Sequence, residues 1–331
     1  MLPTGRRAVN IPTPSPSLRQ DPGYTIEDDG SYTVTSADGL MTVAELVNGG
    51  KTDINITLGE NIDLTGKGWT PIGTNYEKRY KGTFDGRGHT IKGLTVTTND
   101  QFVGLFGYLD KAGTVKNVVM EGIQITSNHV LMSGNTGGVV GYSWGTIENC
   151  SVSGSVSGTN CVGGVVGSQK AGSIIGCSSS AIVKGTRYVG GVAGEKWGTM
   201  TACYATGNVT LEIGSQNNLS GGGVVGLSGG NRVLACYAIG NVNSKGGSTG
   251  NVHIGGLLGD NYTAVTACYW KNNQEQGFGS NQHSTAPEAT KVDGTTVTWK
   301  NAVDDMNTAL QNAGSVWRYE LNGALPTLRK Q

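Results

Sequence analysis

The chain has no surplus of charge. Its 24 basic and 24 acidic residues balance over 331 positions, so it lacks the basic face that a phosphate backbone or an anionic bilayer would require, and nucleic acid is not an expected partner. It also lacks any apolar run approaching the roughly 18 residues of a membrane span, and its N-terminus lacks the apolar core of a signal peptide. No membrane insertion by this chain is therefore expected. Its cysteines have no Cys or His neighbour at C-x2-C spacing, which argues against a zinc site, and no cofactor is implied. Acids are scarce between residues 101 and 270, where only Asp110, Glu121, Glu148, Glu195, Glu212 and Asp260 occur. They share no evident repeat slot, so the paired carboxylates, about 5 to 10 Å apart, that sugar cleavage uses have no visible source. A polysaccharide lyase or glycosidase would have to assemble its site from Asp28, Asp29, Asp53, Asp63 and Asp85. No catalytic residue is assigned.

Glycine, by contrast, is abundant, at 55 residues, and much of it is ordered into a repeat. Six glycine-framed apolar tetrads recur: Gly104 to Gly107, Gly138 to Gly141, Gly164 to Gly167, Gly191 to Gly194, Gly223 to Gly226 and Gly256 to Gly259. Their closing glycines are 34, 26, 27, 32 and 33 residues apart. Such a period means one supersecondary unit per repeat, unable to bury its apolar face without its neighbours. After each tetrad come a polar turn and a period-2 stretch, as in Cys150-Ser-Val152-Ser-Gly154-Ser-Val156 and Cys203-Tyr-Ala205-Thr-Gly207-Asn-Val209. Small apolar residues fall on one side and polar ones on the other. Short strands, glycine corners and no helical periodicity predict a parallel β-helix. Propeller blades would need units of about 40 residues holding four strands.

The repeat places chemistry in columns. Cys150, Cys177, Cys203, Cys236 and Cys268 share one slot and should stack inside the solenoid as free thiols, because coils about 4.8 Å apart hold their Cβ atoms beyond the roughly 3.8 Å that a disulfide prefers. Cys161 lies in a different slot, the one that Tyr188 fills a unit later, and takes no role. The next slot runs Ser151, Ser178, Tyr204, Tyr237, Tyr269, which predicts an outward tyrosine column with Thr206, Asn208 and Asn241 on the same face, suited to stacking and orienting a polar ligand. The competing reading is that the column supports neighbouring strands by aromatic pairing. Trp144 and Trp197 share a third slot, three residues past the tetrad, in loops expected to project from one edge.

Residues 1–23 hold five of the eight prolines and read as an extended linker. The β-helix should occupy 24–294, with repeats over about 101–270. Ser36 is placed to cap a short helix running to about Val47, with Gly49-Gly50 as its stop. Over 295–331, Ala302, Val303, Met306 and Leu310 define an amphipathic helix, and Asn322-Gly323 a closing hairpin. Asp85, in a glycine-flanked corner, reads first as the cap of its own turn. The G-x-S-x-G matches at Gly141 to Gly145 and Gly226 to Gly230, and the G-x-G-x-x-G match at Gly221 to Gly226, fall in repeat corners with no helix to follow. They are not a nucleophile elbow or a dinucleotide fingerprint.

The tetrads resemble the GLUG motif, a glycine-rich repeat of surface proteins in gut Bacteroidetes, also found beside the catalytic part of some IgA-cleaving metallopeptidases. Tyr32 to Leu40, Ile62 to Gly66, Trp69 to Gly73 and Phe84 to Ile91 stand in the order seen in such proteins, so the resemblance covers about residues 30 to 330. It implies a right-handed parallel β-helix exposed at the cell surface and adhesin-like. The repeat, balanced charge, linker and missing catalytic cluster then predict a non-catalytic surface protein that binds glycan or a host or bacterial surface protein on the side of the β-helix, as part of a larger or anchored molecule, or that serves as its spacer. It implies no catalytic residue. The peptidases use H-E-x-x-H, and none of His89, His129, His253 or His283 is followed by Glu.

Overall fold

A computed structural model of the chain describes residues 22–131, 133–213, 218–247 and 250–331. All but the last two residues of the proline-rich stretch therefore lie outside the described residues. The chain forms a parallel β-solenoid of about seven turns. Each full turn visits four sheets in order, illustrated by Cys161–Gly163, Val166–Gln169, Ser173–Ile175 and the pair Ser178–Ser179 and Ile182–Gly185. These strands belong to sheets of six, seven, ten and thirteen strands.

The tetrads make the corner between the six- and seven-stranded sheets. There the carbonyl of Val192 accepts hydrogen bonds from two consecutive amides one coil earlier, Val165 N at 2.9 Å and Val166 N at 3.0 Å, and the carbonyl of Val224 does the same for Val192 and Ala193. Two amides aimed at one acceptor turn the chain sharply. The turn brings backbones so close that a Cβ on Gly194 would lie 2.4 Å from Val162 N. Glycine is required there by contact, since its φ is ordinary.

The cysteine slot follows a second corner, built on left-handed backbone. Asn117, Asn149, Gly176, Ala202, Ala235 and Ala267 occupy it with φ between 50° and 62°, a region that non-glycine residues enter at a cost of about 1 kcal/mol or more. Asparagine fills the exposed coils and forms a ladder, with Asn117 Nδ2 donating to Asp85 Oδ1 and Asn149 Nδ2 to Asn117 Oδ1, both at 2.8 Å. Asp85 also accepts from Arg87 N at 2.9 Å, so it caps its own turn as expected. Further along, the corner is covered by other chain and carries only glycine or alanine.

All six cysteines are free and buried. Those of the ladder stack as expected, with Cys236 Sγ 3.4 Å from Cys203 N and Cys268 Sγ 3.3 Å from Cys236 N. The interior they share is filled by Val, Ile and Leu, and in the first coils by Tyr80, Phe84 and Phe106, whose rings meet at 5.2 Å. Helix α1, Ala37–Asn48, packs Leu40, Val43, Ala44 and Val47 on this core. Ser36 caps it by accepting from Gly39 N at 3.1 Å, and Gly49 ends it.

Helix α2, Trp299–Asn312, and the antiparallel pair Trp317–Leu321 and Pro326–Lys330 fold back along the flank of the coils. They reach as far as Glu148, which Lys330 meets at 2.8 Å. A second apolar cluster forms beneath them, joining Ala202, Ala235 and Ala267 to Met306, Leu310, Trp317 and Tyr319. A Cβ on Gly176 would stand 2.5 Å from the Trp317 ring. The small residues at the left-handed corner are thus the footprint of this segment.

Candidate functional site

The tyrosine column exists in the expected register, Tyr204 beside Tyr237 beside Tyr269, and the first two rings are parallel at 4.8 Å. It is not open to solvent. Tyr237 is fully buried and Tyr269 is 7% exposed, because α2 and the hairpin cover them. The Tyr237 hydroxyl donates to Pro326 O at 2.5 Å and that of Tyr269 to Asp305 Oδ2 at 2.6 Å. The expectation of an open stacking face is corrected on this point: the column docks the chain's own C-terminal segment. Tyr204 and Thr206 line what remains, a cleft of about 340 Å³ against Leu325, Pro326 and Thr327. Asn208 and Asn241 form an exposed ladder, Asn208 Oδ1 accepting from Asn241 N at 2.9 Å and Asn241 Oδ1 from Asn273 N at 3.3 Å.

The larger concavity lies elsewhere, on the tetrad corner. Two outward columns face each other there. On the six-stranded sheet Phe102, Asn135, Cys161, Tyr188, Ser220 and His253 stand in register. On the seven-stranded sheet the residue after each tetrad forms the column Tyr108, Tyr142, Ser168, Glu195, Leu227, Asp260. Between the first four members of each column runs a groove of about 690 Å³, also lined by Asn75, Tyr76, Gln101, Asn160, Lys170 and Arg187. One end is aromatic: Tyr108 and Tyr142 meet at 4.9 Å, Phe102 and Tyr142 at 5.2 Å, and Tyr76 and Tyr108 at 6.0 Å.

Glu195 anchors the middle of the groove. Its carboxylate accepts from Lys170 Nζ at 2.6 Å, Trp197 Nε1 at 2.7 Å and Ser168 Oγ at 2.8 Å. Burial pushes its pKa up, but the bonds from Lys170, Trp197 and Ser168 outweigh that and hold the group below the usual carboxylate range. It is an ionised acceptor and not a proton donor at neutral pH. The Cys161 thiol, 3.6 Å from Glu195, is pushed well up by burial and by that carboxylate, so it remains a thiol. Trp144 and Trp197, both 42% exposed, stand on one rim. Trp144 closes an adjoining hollow of about 220 Å³ with Tyr76, Arg79, Asp110 and Lys111, where the Arg79 guanidinium lies over the Tyr76 ring at 4.2 Å.

The expectation that the acids share no slot is also corrected, because Glu195 and Asp260 both follow a closing glycine and stand in one column two coils apart, about 10 Å. Asp260 accepts from Ser220 Oγ and meets His253 Nδ1 at 2.5 Å. Here the carboxylate sits between serine and histidine, whereas nucleophilic catalysis needs the imidazole in that position. Ser143 and Ser228, centres of the two G-x-S-x-G matches, are fully buried inside the solenoid. Among the described residues no group of three metal-ligating side chains gathers, and no helix is long and apolar enough to cross a membrane.

Residues 132–157, which include the second tetrad and Cys150, match the family model of the GLUG motif. The chain carries the GLUG motif. Over 125 residues it is 37% identical to halomucin of Haloquadratum walsbyi, which covers 35% of this chain and 1% of halomucin. Over 134 residues it is 31% identical to a protein of Evansella cellulosilytica provisionally described as a Gly-rich membrane protein, covering 38% of this chain and 14% of that one. The GLUG-bearing chain thus matches only a small part of these relatives' length. Its fold is similar to that of a Bacteroides ovatus protein provisionally described as an immunoglobulin A1 protease, with a TM-score of 0.68 and 19% identity over 92% of this chain and 93% of the other.

Proposed function

We propose that this chain is a non-catalytic module of a cell-surface or extracellular protein that binds saccharide along the groove at the tetrad corner. The observation that carries the reading is the groove itself, where Phe102, Tyr76 and Tyr142, backed by the buried Tyr108, offer ring faces and edges beside the exposed Asn75 and Gln101. Aromatic walls with a few amide and hydroxyl groups suit sugar rings, which are apolar on their faces and polar at their edges. Its open, linear shape suits an extended chain more than a single small molecule. Similarity to halomucin and to a Gly-rich membrane protein supports a surface setting.

The spacer reading draws support from the small share of those relatives that the chain matches. A glycan array separates the two. The folded chain should retain a saccharide class that the Tyr142→Ala/Tyr188→Ala variant, of equal thermal midpoint, releases. A parent that retains nothing favours the spacer, and turnover of a bound polysaccharide that Glu195→Gln or Asp260→Asn abolishes would make the chain an enzyme.

A further inference from the structure

We infer that the groove selects carboxylate-bearing saccharides and that Arg187 reads the carboxylate, an inference that rests on the saccharide reading above. Arg187 immediately precedes the strand Tyr188–Gly190 and lines the groove. Its guanidinium carbon lies 4.6 Å from the centroid of the Tyr188 ring, and its Nε is buried without a hydrogen-bond partner. The carboxylates around it have other partners: Glu195 meets Lys170 at 2.6 Å, Asp260 meets His253 Nδ1 at 2.5 Å, and Asp110 pairs with Arg79. Arg187 is therefore a positive group held over an aromatic ring, with its Nε donor unspent.

The surrounding charge points the same way. The groove and its adjoining hollow hold four cations, Arg79, Lys111, Lys170 and Arg187, against two carboxylates, Asp110 and Glu195. The chain as a whole is balanced at 24 of each sign, so this excess is local. A guanidinium presents a planar fork that matches a planar carboxylate with two parallel N–H donors. Its contact with the Tyr188 ring holds that fork at the groove wall. A sugar acid places a carboxylate on the ring edge while leaving a face to stack, and the groove offers both complements within two to three coils. A neutral glycan has no group to pair with that donor, so it gains nothing from Arg187.

Calorimetry on the full chain tests this with three probes: an oligogalacturonate, its carboxyl-reduced neutral counterpart, and a sulfated dextran oligosaccharide. The parent should bind the uronate about ten- to a hundredfold more tightly than the reduced form, the range expected of a charge-assisted bidentate pair, and more tightly than the sulfated one. Arg187→Gln should erase that preference by weakening the uronate about ten- to a hundredfold, and Arg187→Lys should restore only part of it. Equal affinity for uronate and reduced probes, equal affinity for sulfate, or a preference that survives Arg187→Gln would overturn the inference. If in those cases Tyr142→Ala still weakens every probe, the groove reading stands without it. No binding of any probe by a folded parent would overturn both.

Discussion

Removing the Tyr237 side chain should free the C-terminal segment from the solenoid. Tyr237 is wholly buried, parallel to Tyr204 at 4.8 Å, and edge-on to Trp299 at 5.1 Å and Tyr319 at 5.7 Å. Its hydroxyl satisfies the Pro326 carbonyl. Emptying such a site costs roughly 3 to 5 kcal/mol in transfer and cavity terms, and the ring pairs add about 0.5 to 1.5 kcal/mol each beyond area. Tyr237→Ser should therefore lose about 4 kcal/mol or more. Tyr237→Phe keeps the ring and strands the Pro326 carbonyl, for about 1 to 3 kcal/mol. Tyr204→Ser, at a partly exposed position, should lose about 1 kcal/mol. In urea unfolding the Tyr237→Ser protein should be the least stable of the three and the Tyr204→Ser protein the least affected. Limited proteolysis should cut the Tyr237→Ser protein within 313–325 before any coil is cut. A Tyr237→Ser variant with parental midpoint and protease resistance would refute the docking role and reopen the column as a ligand surface.

Gly176→Ala should destabilise by about 1 to 3 kcal/mol, since its backbone is left-handed and the new Cβ would meet the Trp317 ring; an unchanged unfolding midpoint would contradict the packing described. Lys196 is fully enclosed and burial lowers its pKa from 10.5 to about 7. Between those values the unfolded chain binds a proton that the folded chain does not, so this group makes stability rise with pH through that window and contributes no slope below about 7. Urea midpoints at about pH 7 and about pH 8.5 should show the rise in the parent and lose it in Lys196→Met. The six thiols should label slowly in the folded protein and all six should label on unfolding without reductant, read as mass added by alkylation; a mass deficit of two hydrogens per bridge would contradict the free ladder.

The fold was largely legible because a solenoid copies each sequence slot into a spatial column. Cys150 to Cys268 could be placed inside, and Tyr204, Tyr237 and Tyr269 beside one another, from spacing alone. The first helix carried its cap, Ser36, in the chain, and both carried their apolar faces, Met306 and Leu310 among them for the second. What spacing could not supply was the return of the C-terminal segment. Tyr237 and Pro326 are 89 residues apart, and a hairpin pattern gives no direction in which to pack. The alanines at 202, 235 and 267 were its trace, readable only once their left-handed backbone was known. The groove was missed for a different reason. Its slot, Tyr108, Tyr142, Ser168, Glu195, Leu227, Asp260, is chemically mixed and does not stand out as five cysteines do. The signal was available in the residue that follows each closing glycine.

The most direct test of the groove as the binding surface is hydrogen exchange measured on the full chain with and without a saturating saccharide identified on the array. Protection should increase over 101–109, 135–143, 161–170 and 187–197, which line the groove, and stay unchanged over 204–206 and 317–330 on the covered flank. Protection confined to that flank, with the groove segments unaltered, would contradict the account.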